Sequence, residues 1–163
     1  MLRPDEQGRT AVRMLWDALR DAGLPSIAGH RKGAYPPHLS LTVADDLPVE
    51  IVETVSSGTV LPSETLAFEA LGCFPNGVLH LTAVPDRRLL KAHANAYKAC
   101  GGAVLWQHYA PGTWTPHVTL GYGYSPRQVG QAAELLLPLL PLRLTGWTAW
   151  LEDAGTGEDW PIT

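Results

Sequence analysis

The chain has 163 residues, 45% hydrophobic and 17% charged, with a formal net charge of −4. That length fits one domain able to bury roughly two-thirds of its unfolded surface, and the composition is that of an ordinary soluble globular protein. The acidic balance argues against long nucleic-acid tracts, whose binding rests on phosphate neutralisation by Lys and Arg, but leaves room for a small anion in a local pocket.

Two cysteines, Cys73 and Cys100, make neither a disulfide framework nor a zinc quartet. With no secretory signal visible, a cytoplasmic location is the expectation. The longest apolar run, Leu135 to Leu142, is interrupted by Pro138 and Pro141. It falls far short of the roughly 20 residues a membrane helix needs, so no membrane partner is expected. A monomer is the default, since no coiled-coil pattern is present.

In chain order, residues 5–22 read as an amphipathic helix, with Val12, Leu15, Leu19 and Ala22 at helical spacing and Gly23 as a stop. The segment 24–37 is turn-rich. A strand over 38–43 follows, then a helix near 48–57 opened by Pro48 and closed by Gly58. Residues 64–74 and 78–84 read as two strands around the hairpin turn Pro75-Asn76-Gly77. Residues 86–100 form the clearest helix, with Leu89, Leu90, Ala92, Ala96 and Tyr97 on its apolar positions. The second half repeats the order: a strand over 117–122, a helix near 126–137, a strand near 142–151 and a short strand over 159–163. The spacing therefore predicts one domain with an internal repeat of about 38–100 and 117–163. Its class is α+β: two pseudo-symmetric lobes, each an antiparallel sheet with helices on the outer face, and a cleft between them.

The strongest signal is a short phrase written twice. Pro37-His38-Leu39-Ser40-Leu41 and Pro116-His117-Val118-Thr119-Leu120 share the form Pro-His-aliphatic-hydroxyl-Leu, with their histidines roughly 80 residues apart. Strand alternation puts each His and its hydroxyl on one face and the aliphatic residues on the other. If the halves face each other, two imidazoles and two alcohols converge on one ligand. Histidine titrates near working pH and serves as acid or base; hydroxyls can stabilise charge on non-bridging phosphate oxygens. That arrangement suits acid–base chemistry on a phosphate, with His38, Ser40, His117 and Thr119 as catalytic candidates. It needs no metal or other cofactor, because the imidazoles fill the roles of a metal-bound water.

These paired motifs resemble the two-histidine (2H) phosphoesterase superfamily, marked by two His-x-Thr/Ser-x motifs, and within it the bacterial 2′,5′-RNA ligases and RNA 2′,3′-cyclic phosphodiesterases. Gly72-Cys73-Phe74-Pro75 is similar to the Gly-x-Phe-Pro often found between the motifs. The resemblance implies hydrolysis of a 2′,3′-cyclic phosphate or a 2′,5′-linked nucleotide or RNA end, with His117 as base and His38 as acid. Weak ligation is the same chemistry reversed. Where RNA-processing relatives often carry Arg after the motifs, this chain has Thr42 and Gly121. That departure leaves the RNA-end substrate open and gives some support to a second reading, a nucleotide- or RNA-end-binding module with little turnover.

Supporting residues each carry two readings. Phe74 either stacks on a nucleobase or fills the core. His80, on the cleft-facing side of its strand with Thr82, either contacts ligand or is a polar residue on a wet sheet face. Tyr35 and Trp114, three residues before each motif histidine, either wall the cleft mouth or pack. Arg31 and Lys32 form a candidate second phosphate site or a solvated loop. Tyr122 and Tyr124 either contact ligand or bury the strand end. His30, His93 and His108 have no metal-ligand spacing, and His93 is expected to be exposed on its helix.

Overall fold

The computed structural model describes residues 1–29, 35–45, 48, 51, 61–101, 103–153 and 156–162. Helix α1 spans Glu6–Asp21, as the apolar spacing requires. Asp5 caps its first turn by accepting from the Gly8 amide at 2.8 Å. Gly23, at φ 72°, ends it with Leu24 N–H donating to Leu19 O. Helix α2 spans Arg87–Ala99 behind the Asp86 cap, and α3 spans Pro126–Leu136 behind a Ser125–Gln128 capping box. The expected helix near 48–57 lies largely outside the described residues, as do Arg31 and Lys32.

The strands are β1 (Leu2–Arg3), β2 (Thr65–Cys73), β3 (Leu79–Ala83), β4 (His117–Gly121), β5 (Leu142–Thr145), β6 (Thr148–Glu152) and β7 (Asp159–Ile162). They form two antiparallel sheets, ordered β1-β6-β7 and β4-β3-β2-β5. The β2–β3 hairpin turns at Pro75-Asn76-Gly77, where Gly77 adopts φ 80° and donates to Phe74 O at 2.8 Å. Two sequence expectations need correction. The single strand over 142–151 is two, because Gly146 turns the chain at φ 61°, tight against Asp5, and Trp147 drops into the core. The strand over 38–43 reduces to isolated bridges at Leu39 and Ala44. The short β1 was not foreseen at all.

Those isolated bridges do the joining. Leu39 pairs antiparallel with Leu2 on one side and with Val118 on the other, so the first motif is the seam between the sheets. Leu2, Leu39, Val118 and Leu81 are all at or near zero exposure, on the core face. Under that face lies α1, with Val12, Leu15, Trp16 and Leu19 buried, and Ala132 and Leu136 of α3 join the same core. The Trp16 indole donates to Thr119 O at 3.1 Å, tying α1 to the second motif. Each buried Leu contributes roughly 2 kcal/mol of transfer free energy, so the aliphatic half of each motif anchors the polar half. No helix among the described residues is long and apolar enough to cross a membrane.

Candidate active site

The Leu39–Val118 bridge decides the site's layout. In an antiparallel pair, the neighbours of a bridged pair are themselves cross-strand partners and share the opposite face. His38 therefore stands beside Thr119, and Ser40 beside His117, all on the face away from the core. The next strand continues the row, with His80 opposite Thr119 and Thr82 opposite His117.

Both motif histidines are held alike. His38 Nδ1 donates to Pro36 O at 3.1 Å and His117 Nδ1 to Thr115 O at 2.8 Å, each the carbonyl two residues earlier. That contact fixes the tautomer and leaves Nε2 as the proton acceptor. Burial lowers both pKa values, that of His38 to about 4 and that of His117 below the ordinary 6.5. The chain's amino group, Arg3 and His117 push His38 the same way, against the Pro36 carbonyl; His108 adds to the effect at His117.

The surroundings of the two rings differ. A cleft of about 500 Å³ is lined by Phe74, Trp106, His108, Tyr109, Trp114, His117, Thr119 and Tyr122, among others. The second motif thus opens into the cleft. His38 and Ser40 stand one step back. Tyr35 lies edge-on to the His38 ring at 5.0 Å, with its hydroxyl donating to Nε2 at 3.3 Å. Tyr35 in turn shares a hydrogen bond with cleft-lining Tyr122, and Ser40 shares one with cleft-lining Tyr109.

Of the supporting candidates, Phe74 and Trp114 line the cleft. Phe74 packs edge-on to His117 at 5.0 Å, while the Trp114 indole donates to Ser40 O at 3.1 Å. Tyr122 lines the cleft at 46% exposure; Tyr124 is buried and donates to Pro25 O. His80 is covered, at 3% exposure, rather than on a wet face. The expected exposure of His93 is also wrong: it is 3% exposed, stacked on Trp114 at 4.0 Å, and donates from Nε2 to Tyr109 O. At Gly121 a Cβ would run into Pro25 O, so this position has no room for the Arg of RNA-processing relatives.

Four residues of the site and its flank escaped the sequence reading. His108 and Tyr109 come from a 3-10 turn and Trp106 from its cap, a segment with no periodicity to mark it. Arg3, beside His38 across the Leu2–Leu39 bridge, is 5% exposed. It pairs with Asp159 at 2.7 Å and Glu152 at 3.4 Å, over the Trp150 ring.

Residues 50–156, about two-thirds of the chain, match the family model of the 2′-5′ RNA ligase superfamily. The chain belongs to that superfamily. This places it among the two-histidine phosphoesterases that its paired motifs resemble. For this superfamily member the matched span contains His117 and Thr119 and begins after His38 and Ser40. No curated protein matches it. Among solved structures it is similar to that of Usb1 from Kluyveromyces marxianus, with 13% identity, a TM-score of 0.45, and coverage of 98% of this chain and 93% of that one.

Proposed function

We propose that the chain is a metal-independent phosphodiesterase acting on a 2′,3′-cyclic phosphate or a related 2′,5′-linked nucleotide or RNA end. The observation that carries this reading is the Leu39–Val118 bridge, which sets two imidazoles and two hydroxyls on one face. His117, neutral with Nδ1 occupied, takes a proton from water at Nε2. Ser40 and Thr119 donate to the non-bridging oxygens as charge builds there. His38 protonates the departing ribose oxygen. Burial makes its ring resist charging; an anionic phosphate beside it favours the imidazolium, as an opposite charge must. Phe74, Trp114 and the exposed Trp106 and Tyr122 offer ring faces to a base. Reverse 2′,5′ ligation uses the same groups.

A second reading, a nucleotide- or RNA-end-binding module with little turnover, is favoured by Tyr35 covering His38 Nε2. Incubation with 2′,3′-cyclic AMP and with a 2′,5′-dinucleotide, both with EDTA present, separates the two. Turnover to a nucleoside monophosphate supports the phosphodiesterase. Saturable binding without product supports the module, and neither binding nor product removes both.

A further inference from the structure

The site holds a third imidazole that neither motif supplies. His80 sits on β3 beside His117, with ring centroids 5.1 Å apart and planes at 62°. Its other side is stacked on Phe74 at 4.2 Å and 24°. Nδ1 donates to Val78 O at 3.2 Å, the same two-residues-back contact that both motif histidines make. At 3% exposure it cannot meet a ligand directly.

The strand beside it is built to admit this ring. Gly72 is the cross-strand partner of His80 on β2, and a Cβ at position 72 would overlap His80 Nε2. The absence of a side chain at 72 is therefore what leaves room for the Nε2 end of the ring. From there His80 closes the back of His117, while Phe74 covers both rings.

We propose that His80 is a positioning residue for His117: seated on Gly72 and clamped by Phe74, it holds the plane of the His117 ring and keeps water from its rear. The idea rests on the assignment of His117 to proton transfer, and it assigns His80 a part in that step without substrate contact. Burial is the leading cause of the lowered His117 pKa, and the His80 ring, 5.1 Å away, is one of the groups packed against it. Among the described residues, the titratable groups facing His117 are His80 from β3, His108 from the 3-10 turn and His38 from the first motif. His80 itself is held to about 4, by burial first, and is neutral wherever the enzyme would work. Its influence above that pH is through shape and dryness, not charge.

The variants His80→Ala, His80→Phe and Gly72→Ala test this, each read by kcat, KM and the His117 ¹⁵N titration in the full chain. His80→Ala is expected to lower kcat roughly tenfold or more with KM little changed, because a misaligned base costs rate rather than binding. It should also move the His117 titration up toward 6.5. His80→Phe keeps a flat ring against Phe74 and should restore most of both. Gly72→Ala should act in the same direction as His80→Ala, yet add nothing in the His80→Ala background, since its effect passes through that ring. A His80→Ala protein that is merely less stable, with the His117 titration unmoved, overturns the proposal, as does additivity with Gly72→Ala. If the wild type turns over no cyclic nucleotide, the phosphodiesterase reading falls, but the titration still decides the role of His80.

Discussion

The two motifs are nearly the same phrase set in unlike surroundings. His117 rides on β4, a regular strand paired with β3, and lines the cleft. His38 stands beside a single bridged residue, with Tyr35 on its Nε2 and Arg3 at its flank. Local wording fixes the ring tautomer identically in both. What surrounds the ring, and hence how readily it charges and what reaches it, is decided by tertiary neighbours that the motif does not specify. Two imidazoles in nearly identical motifs can thus be made to differ by context alone.

The largest expected effect tests whether that difference matters to turnover. His38→Ala and His117→Ala should each lower kcat on 2′,3′-cyclic AMP by about 10²–10⁴-fold without loss of fold, since each removes one of the two groups proposed to transfer a proton. Equal losses mean the unlike surroundings are only scaffolding. A His38→Ala protein with near wild-type turnover would show that the covered imidazole takes no part, leaving His117 to act without it.

Next comes the seam. Leu39 is fully buried and bridges both Leu2 and Val118. Leu39→Ala should cost about 2–5 kcal/mol in denaturant unfolding, the usual range for a core Leu whose cavity relaxes incompletely. Because no ladder reinforces the first motif, this variant should also separate His38 from Thr119 and reduce kcat beyond what the surviving folded fraction explains. A stability loss with kcat per folded molecule unchanged would mean the bridge is not what aligns the tetrad.

The elements that sequence resolved were those with internal logic: the α1 stripe ending at Gly23, the capped α2, the Pro75-Asn76-Gly77 turn, and the alternation in β4. The common face of His38, Ser40, His117 and Thr119 was legible for the same reason, since a repeated His-x-hydroxyl phrase defines its own face. The part that failed to show depends on pairings distant in sequence. Strand 38–43 shrank because Leu39 finds its partners at Leu2 and Val118 rather than in a continuous ladder. His93 looked exposed on its helix because nothing local marks Trp114 as the ring that covers it. Arg3 was invisible as a neighbour of His38 for the same cause: only the Leu2–Leu39 bridge brings it there.

A smaller effect is expected in acid. His38 and His80 each fall from an ordinary 6.5 to about 4 on folding, because burial disfavours the imidazolium. Between those values the unfolded chain binds protons that the native state refuses, so stability is full above pH 6.5, falls as pH drops toward 4, and loses nothing more from these groups below that. For either ring the loss is at most about 3 kcal/mol. Unfolding free energies measured from pH 7 to 4 should therefore decline more steeply for wild type than for His80→Phe. Parallel curves would mean the His80 ring protonates freely in the folded protein, and the buried stack with Phe74 would have to be abandoned.

The smallest effect sharpens the comparison most, because it changes one aromatic side chain at each of two matched positions. Tyr35 and Trp114 each stand three residues before a motif histidine, but they serve different masters. The Tyr35 hydroxyl donates to His38 Nε2, while the Trp114 indole donates to the Ser40 carbonyl and its face carries His93. Tyr35→Phe removes a donor that stabilises neutral His38, so the His38 ¹⁵N titration should move up and kcat should change by less than about tenfold, the scale of one net hydrogen bond. Trp114→Phe should leave that titration in place and cost about 1 kcal/mol or more in unfolding free energy, as the Ser40 carbonyl loses its partner. If the two substitutions exchanged outcomes, with Trp114→Phe shifting His38 and Tyr35→Phe touching only stability, the asymmetry drawn between the motifs would be reversed. If both left His38 unmoved, the strong depression of its pKa would belong to burial, the amino group, Arg3 and His117 alone, and Tyr35 would be a wall of the site with no hold on its proton.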